Sequence, residues 1–198
     1  LATLPQTPER AKLIEGATRL QAVIAAKGAP EEVARVAHGL AADLLKAYPV
    51  PLAPSKVPEL ARGATLFAQN CASCHGMTGD GRGPDAGKLT TPPIAFSELA
   101  RARQRSPFAL YQVIDQGIDG TAMQSFASLP GDDRWALAFY AGRFAFSDAA
   151  ATEGERLWKA DPGLRQRIPD LTALAGLTPE TLAKSIGSGQ ADAVIAYL

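Results

Sequence analysis

Two cysteines, two histidines and two methionines are the only nitrogen and sulfur donors that this 198-residue chain can offer a metal. Four of these six side chains fall between residues 71 and 77, in Cys71-Ala-Ser-Cys74-His75-Gly-Met77. Two thiols three positions apart, followed at once by an imidazole, form the pattern for covalent attachment of heme c. At that spacing the thiols meet the two vinyl groups on one porphyrin edge and become thioethers. His75 is thereby held beneath the iron and supplies the proximal nitrogen. Three other chemistries use the same residue types. A thioredoxin-like redox pair belongs in a βαβ context and leaves His75 without a role. A zinc site needs both cysteines and both histidines, and His38 stands alone beyond a proline-rich stretch. A disulfide closing so short a loop adds little stability. The heme reading uses all of the patterned residues.

Elimination selects the second axial ligand. Met77 follows His75 too closely to cross the porphyrin plane and stays on the proximal side. His38 falls beside Ala34 and Ala41 in a helical pattern and reads as a partly exposed surface residue. Met123 comes much later, in a non-helical stretch after Gly120 and before Phe126, so its loop is free to fold over the distal face. Ligation by His75 and Met123 raises the reduction potential and leaves no open coordination position. The expectation is therefore an electron carrier and not an enzyme: heme-binding residues Cys71, Cys74, His75 and Met123, iron ligands His75 and Met123, and no catalytic residue.

The elements that must position these residues read as helices throughout. Thr7-Pro8-Glu9 offers an N-cap with a proline at N1. Leu13, Ala17, Leu20, Val23 and Ile24 then recur at helical spacing until Gly28. Pro30-Glu31-Glu32 starts a second helix with Val33, Val36, Leu40 and Leu44 on one face, and the short turn between the two predicts a helical hairpin. Tyr48 to Pro58 is proline-rich and reads as a stiff linker. A helix from Glu59 to about Asn70 runs directly into Cys71. Ser106-Pro107 caps another that ends at Gly117, and Asp132 to about Phe144 is a third, with aromatics at 135, 139 and 140. Beyond it, helices are expected at 152–160, about 179–187 and 190–198. No alternating apolar pattern persists, so the fold is expected to be all-α. Three blocks result: residues 1–57, a hairpin with its linker; 58–148, the heme-bearing domain; and 149–198, a helical extension.

Composition excludes several classes. The formal net charge is zero, which argues against a nucleic-acid partner. Hydrophobic residues at 46% and charged residues at 20% make an ordinary globular balance. The uncharged stretch from Gly63 to Gly79 is rich in Gly, Ser, Asn and Thr, so no bilayer span is expected. Leu1 opens the chain without a charged and apolar leader, and the final apolar run has no cap, which reads as a soluble piece of something longer.

Residues 59–146 resemble a class I cytochrome c domain. The likeness rests on Gly63-x-x-x-Phe67, the heme motif, Gly79-Asp-Gly81-Arg-Gly83-Pro84, Gly120-Thr-Ala-Met123 and Trp135-Ala-Leu-Ala-Phe-Tyr140. It implies that the first and last helices of the domain cross with Gly63 near Tyr140. It also implies that Pro92, Pro93, the tryptophan and the Met123 loop wall the heme pocket. The flanks carry a narrower likeness. The run Ala41-Ala-Asp-Leu-Leu-Lys-Ala-Tyr-Pro-Val-Pro-Leu-Ala-Pro54, the heme domain and Gly154-Glu-Arg-Leu-Trp158 together resemble the periplasmic part of a bacterial fusion. In that fusion a cytochrome c precedes an oxidase-dependent iron permease. The resemblance implies a periplasmic location, a membrane permease as fused or associated partner, Fe(II) as electron source and a respiratory electron acceptor. The permease's own Arg-Glu-x-x-Glu motif is absent from this sequence.

Three weaker features complete the reading. Gly154-x-x-Leu157-Trp158 echoes Gly63-x-x-Leu66-Phe67 and could begin a degenerate, heme-free copy, or match by chance. Glu9, Glu15, Glu31, Glu32 and Asp43 offer hard oxygen ligands for iron, which keeps an iron-binding module open beside the simpler reading of a solvated face. Arg101, Arg103 and Arg105 precede a helix and read as surface charge, with heme propionates or a partner as the alternative.

Overall fold

The computed structural model describes residues 5–48 and 52–198, and no strand occurs among them. The all-α expectation holds. The chain divides into two compact units, Leu1–Pro51 and Leu52–Leu198.

In the first unit, α1 (Arg10–Ala25) packs on α2 (Pro30–Ala47). Proline at the first position of α2, acids Glu31 and Glu32 in its first turn and Lys46 in its last suit the helix dipole at both ends. Leu13 on α1 is buried, and Gly16 lets Leu40 of α2 come close. Thr7 does not cap α1, which begins after Glu9. Its hydroxyl instead donates to Tyr48 Oη at 3.3 Å, while the Tyr48 hydroxyl donates to the Pro5 carbonyl at 2.6 Å, tying the ends of the hairpin together. The left-handed residue of the turn is Lys27, at φ 53°, rather than Gly28. Of the expected linker, residues 49–51 lie outside the described residues, and 52–59 are non-helical.

The second unit opens with α3 (Leu60–Asn70), α4 (Ala72–His75), α5 (Leu99–Ala102), α6 (Pro107–Gln116) and α7 (Gly131–Gly142). Helix α3 crosses α7 at Gly63. A Cβ there would run into the Ala136 carbonyl and come within 2.8 Å of Tyr140 Cβ, so the expected meeting of Gly63 and Tyr140 is present. Phe67, one turn further on and buried, lies among Phe144 (4.8 Å between ring centres), Tyr140 (5.6 Å) and Phe96 (6.2 Å). Arg62 grips both Asp133 oxygens at 2.9 and 2.6 Å, fixing the rotation of α3 against α7. Ser106 caps α6 as expected, its Oγ accepting from the Ala109 amide at 3.2 Å.

The chain continues as α8 (Asp148–Ala160), α9 (Pro162–Arg167), α10 (Leu171–Gly176), α11 (Pro179–Ile186) and α12 (Ser188–Tyr197). Helix α8 starts earlier than its apolar period suggested, because Ser147 caps it through the Ala150 amide. Helices α9 and α10 were not foreseen. At six residues each they are too short to display a period, and Asp161 and Asp170 cap them. This segment belongs to the same compact unit as α3–α7: Trp135 and Phe139 share one buried cluster with Leu164, Ile168 and Val194. Arg103 is therefore more than surface charge. Its guanidinium holds Asp192 on α12 through Nε at 3.1 Å to each oxygen. Among the described residues, no helix is long and apolar enough to cross a membrane.

Candidate heme site

Local hydrogen bonding presents Cys71, Cys74 and His75 on one turn. Cys71 ends α3 with its amide on the Phe67 carbonyl at 2.9 Å. The amides of Cys74 and His75 then return to the Cys71 carbonyl at 3.2 and 2.9 Å, forming α4. So short a helix leaves its own carbonyls without intrahelical donors. The glycine-rich loop satisfies them: Asp85 N–H donates to Ser73 O (2.8 Å), Gly83 N–H to Cys74 O (3.1 Å) and Gly81 N–H to His75 O (2.8 Å). Gly83 must approach so closely that a Cβ would collide with the Ala72 and Ser73 carbonyls. The Gly-Asp-Gly-Arg-Gly-Pro run is thus a strip of backbone donors that clamps the cysteine–histidine turn.

His75 is held from its far side. Its Nδ1 lies 3.1 Å from the Ile94 carbonyl. A carbonyl only accepts, so the proton sits on Nδ1 and Nε2 keeps its lone pair. Burial lowers the imidazole pKa, with the Ile94 bond opposing, which leaves the ring neutral near pH 7. Phe96 packs on it, with ring centres 4.7 Å apart. Neither Ile94 nor Phe96 was foreseen from sequence. A backbone carbonyl carries no side-chain signature, and the phenylalanine has no motif of its own.

Both cysteines are free thiols. Burial, with a smaller contribution from Cys74, pushes the Cys71 pKa up to about 11. A half-buried thiol with a raised pKa is the opposite of the depressed-pKa thiolate that a redox-active cysteine pair needs. Zinc gains no support either. His38 lies exposed on α2, and no group of three or more His, Cys, Asp or Glu among the described residues is placed to hold a metal. On the hairpin, Asp43 pairs with Lys12 at 3.1 Å and Glu32 with Arg35 at 3.7 Å, as a solvated face would. A neutral imidazole with a free Nε2 beside two free thiols at the attachment spacing does fit heme c.

Met123 sits in the loop between α6 and α7, half-buried. Its amide donates to Thr121 Oγ1 at 3.1 Å, and its carbonyl accepts from the Ile118 amide at 2.8 Å. The Phe126 amide donates to Ile114 O at 2.8 Å, fastening the same loop to α6. Among the described residues, no hydrogen bond or ring contact joins Met123 to the His75 turn. Met77 projects into solvent, 65% exposed. Trp135, expected in the pocket wall, stacks on Tyr111 at 4.2 Å in the cluster shared with the C-terminal helices.

Residues 58–140 match the family model described as Cytochrome C oxidase, cbb3-type, subunit III. No curated protein matches the chain. Among solved structures, a chain of the reducing HAO-like protein complex of Kuenenia stuttgartiensis is 25% identical, with a TM-score of 0.45 over 60% of this chain. The match covers 62% of that chain. Together with the donor set on the α3–α4 turn, the family match makes residues 58–140 a cytochrome c domain, with covalently bound heme c as its cofactor.

Proposed function

We propose that this chain is a periplasmic one-electron carrier in which Cys71 and Cys74 anchor the heme, and His75 and Met123 ligate its iron. The observation that carries the reading is the His75 Nδ1 bond to Ile94 O, which aims an uncharged Nε2 outward from a clamped turn. Bound there, heme c supplies a one-electron iron couple. The protein's part is to resist movement as charge changes. The amides of Gly81, Gly83 and Asp85 fix the turn, Ile94 fixes the ring, and Thr121 and Ile118 fix the backbone at Met123. These bonds give the residues around the iron little freedom to reorganise.

The finer part of the proposal concerns the source of the electron. Its support is the likeness of both flanks to the cytochrome that precedes an iron permease. On that reading the domain accepts electrons from Fe(II) oxidation during iron uptake and passes them to a respiratory acceptor. Anaerobic mixing of Fe(II) with the oxidised, heme-loaded protein, followed optically, tests it. Rapid and saturable heme reduction is expected. Reduction by ascorbate but not by Fe(II) would remove iron as the donor and leave a general respiratory carrier. Failure of both would remove the carrier reading itself.

A further inference from the structure

The helix crossing that frames the heme domain occurs a second time after it. On α3, Gly63 abuts the Ala136 carbonyl and Tyr140 Cβ of α7; on α8, Gly154 abuts the Ala193 carbonyl and Tyr197 Cβ of α12. In each case the glycine begins a Gly-x-x-Leu-aromatic run, and the facing helix offers Ala-x-x-x-Tyr. The helix before the closing one is repeated as well. Helix α6 opens with Ser106-Pro107, continues through Leu110 and Ile114, and packs on α7. Helix α11 opens with Thr178-Pro179, continues through Leu182 and Ile186, and packs on α12. The caps are alike, with Ser106 Oγ accepting from Ala109 N at 3.2 Å and Thr178 Oγ1 from Thr181 N at 3.0 Å. Each helix stops at a glycine with positive φ, 73° at Gly117 and 82° at Gly187. Three elements thus recur in the same order, with the same glycine crossing between the first and third and the same kind of cap on the second.

We propose that residues 148–198 are a second cytochrome c helical core, stripped of its heme-binding segments, that serves as the resident partner of the α6–α7 face of the first. The losses fall at the two segments that heme requires. After α8 comes Asp161-Pro162, with no cysteine or histidine, where α3 is followed by Cys71–His75. Helix α11 reaches α12 across Gly187 alone, where α6 and α7 are separated by the Met123 loop. Leu164 of α9, Ile168 just after it and Leu174 of α10 are buried and fill the interior instead. Their cluster includes Leu110 and Trp135, so the second core lies on the face formed by α6 and α7. Polar ties fix its seat: Arg103 grips Asp192, and the Glu180 amide donates to Arg103 O at 2.9 Å. The second core thereby covers Leu110 and Trp135, and the one Cys-x-x-Cys-His motif of the chain provides for a single heme.

A second core that is its own cooperative unit opens separately from the first. Hydrogen exchange on the full, heme-loaded chain reads this directly. In Gly154→Leu, whose side chain must displace the α12 backbone, exchange in α8, α11 and α12 should rise about tenfold or more. Protection in α3 and in the Cys71–His75 turn should change less than about twofold, with the heme spectrum unaltered. Tyr197→Ala, a milder change on the opposite side of the same crossing, should give the same pattern if the leucine variant does not fold. Gly63→Leu should give the converse, with α3 and α7 exposed first. Loss of protection in α3 to the same degree as α8 in both Gly154→Leu and Tyr197→Ala would show one indivisible core and overturn the proposal. Unchanged exchange in both variants would overturn it equally.

Discussion

Replacing Met123, the proposed second axial ligand, with alanine in the heme-loaded protein will lower the reduction potential by on the order of 100 mV and open the iron to carbon monoxide. A thioether is a soft, uncharged ligand that favours the ferrous state over the ferric. A hundredfold loss of that preference corresponds to about 120 mV, since a one-electron couple moves about 59 mV for each tenfold change. The backbone of the loop is held independently of the sulfur, by Thr121 Oγ1 and by the Ile118 amide. The substitution therefore deletes the proposed donor without releasing the segment that carries it. Redox titration and carbon monoxide binding, compared with the unaltered protein, check both parts. An unchanged potential and spectrum would remove Met123 from the iron. Fast carbon monoxide binding to the unaltered protein would point to an open, catalytic heme.

A larger structural loss is expected at Gly83. Alanine there would drive its Cβ into the Ala72 and Ser73 carbonyls, both of them backbone and neither able to swing away. The clamp must open, releasing the Gly83–Cys74 and Asp85–Ser73 hydrogen bonds. Overpacking of this kind costs about 1–3 kcal/mol, and each lost bond adds about 1 kcal/mol, so a loss on the order of 3–5 kcal/mol follows. Thermal unfolding of the heme-loaded Gly83→Ala protein, with the yield of attached heme, measures the effect. The mobile turn should also present its cysteines poorly for attachment. A variant with unchanged melting temperature and full heme content would show that the loop is not the clamp described here.

The parts of the site legible in the sequence are those that local chemistry dictates. Cys71, Cys74 and His75 are read from spacing alone, and the same spacing creates the turn that presents them. The meeting of Gly63 and Tyr140 is legible through the resemblance to class I cytochromes c, and the structure supplies its reason, since a crossing this close leaves no room for a Cβ at Gly63. Ser106-Pro107 announces α6 because a cap and a proline at N1 act within one turn. What sequence conceals is made by the backbone or by distance. Ile94 orients His75 with a carbonyl that any residue possesses. Arg103 meets Asp192 across 89 positions, and nothing in either neighbourhood signals the pairing. Thr7 has the residue type of a cap, yet Tyr48 at the other end of the hairpin engages its hydroxyl. Trp135 reads as a heme-pocket aromatic until α9 and α10, too short to show a period, are placed against it. The echo of Gly63 at Gly154 is ambiguous as five residues and becomes specific once both glycines face an alanine carbonyl and a tyrosine Cβ.

Covalent attachment of heme c at Cys71 and Cys74, on the turn held by the glycine-rich loop, is open to direct test. The most direct test is the intact mass of the chain, matured with c-type heme attachment and then denatured and extracted with acidified organic solvent. One heme is expected to stay on the polypeptide after extraction and to be lost from the Cys71→Ala, Cys74→Ala double variant. Complete extraction of heme from the unaltered chain, leaving the mass of the bare polypeptide, would contradict it.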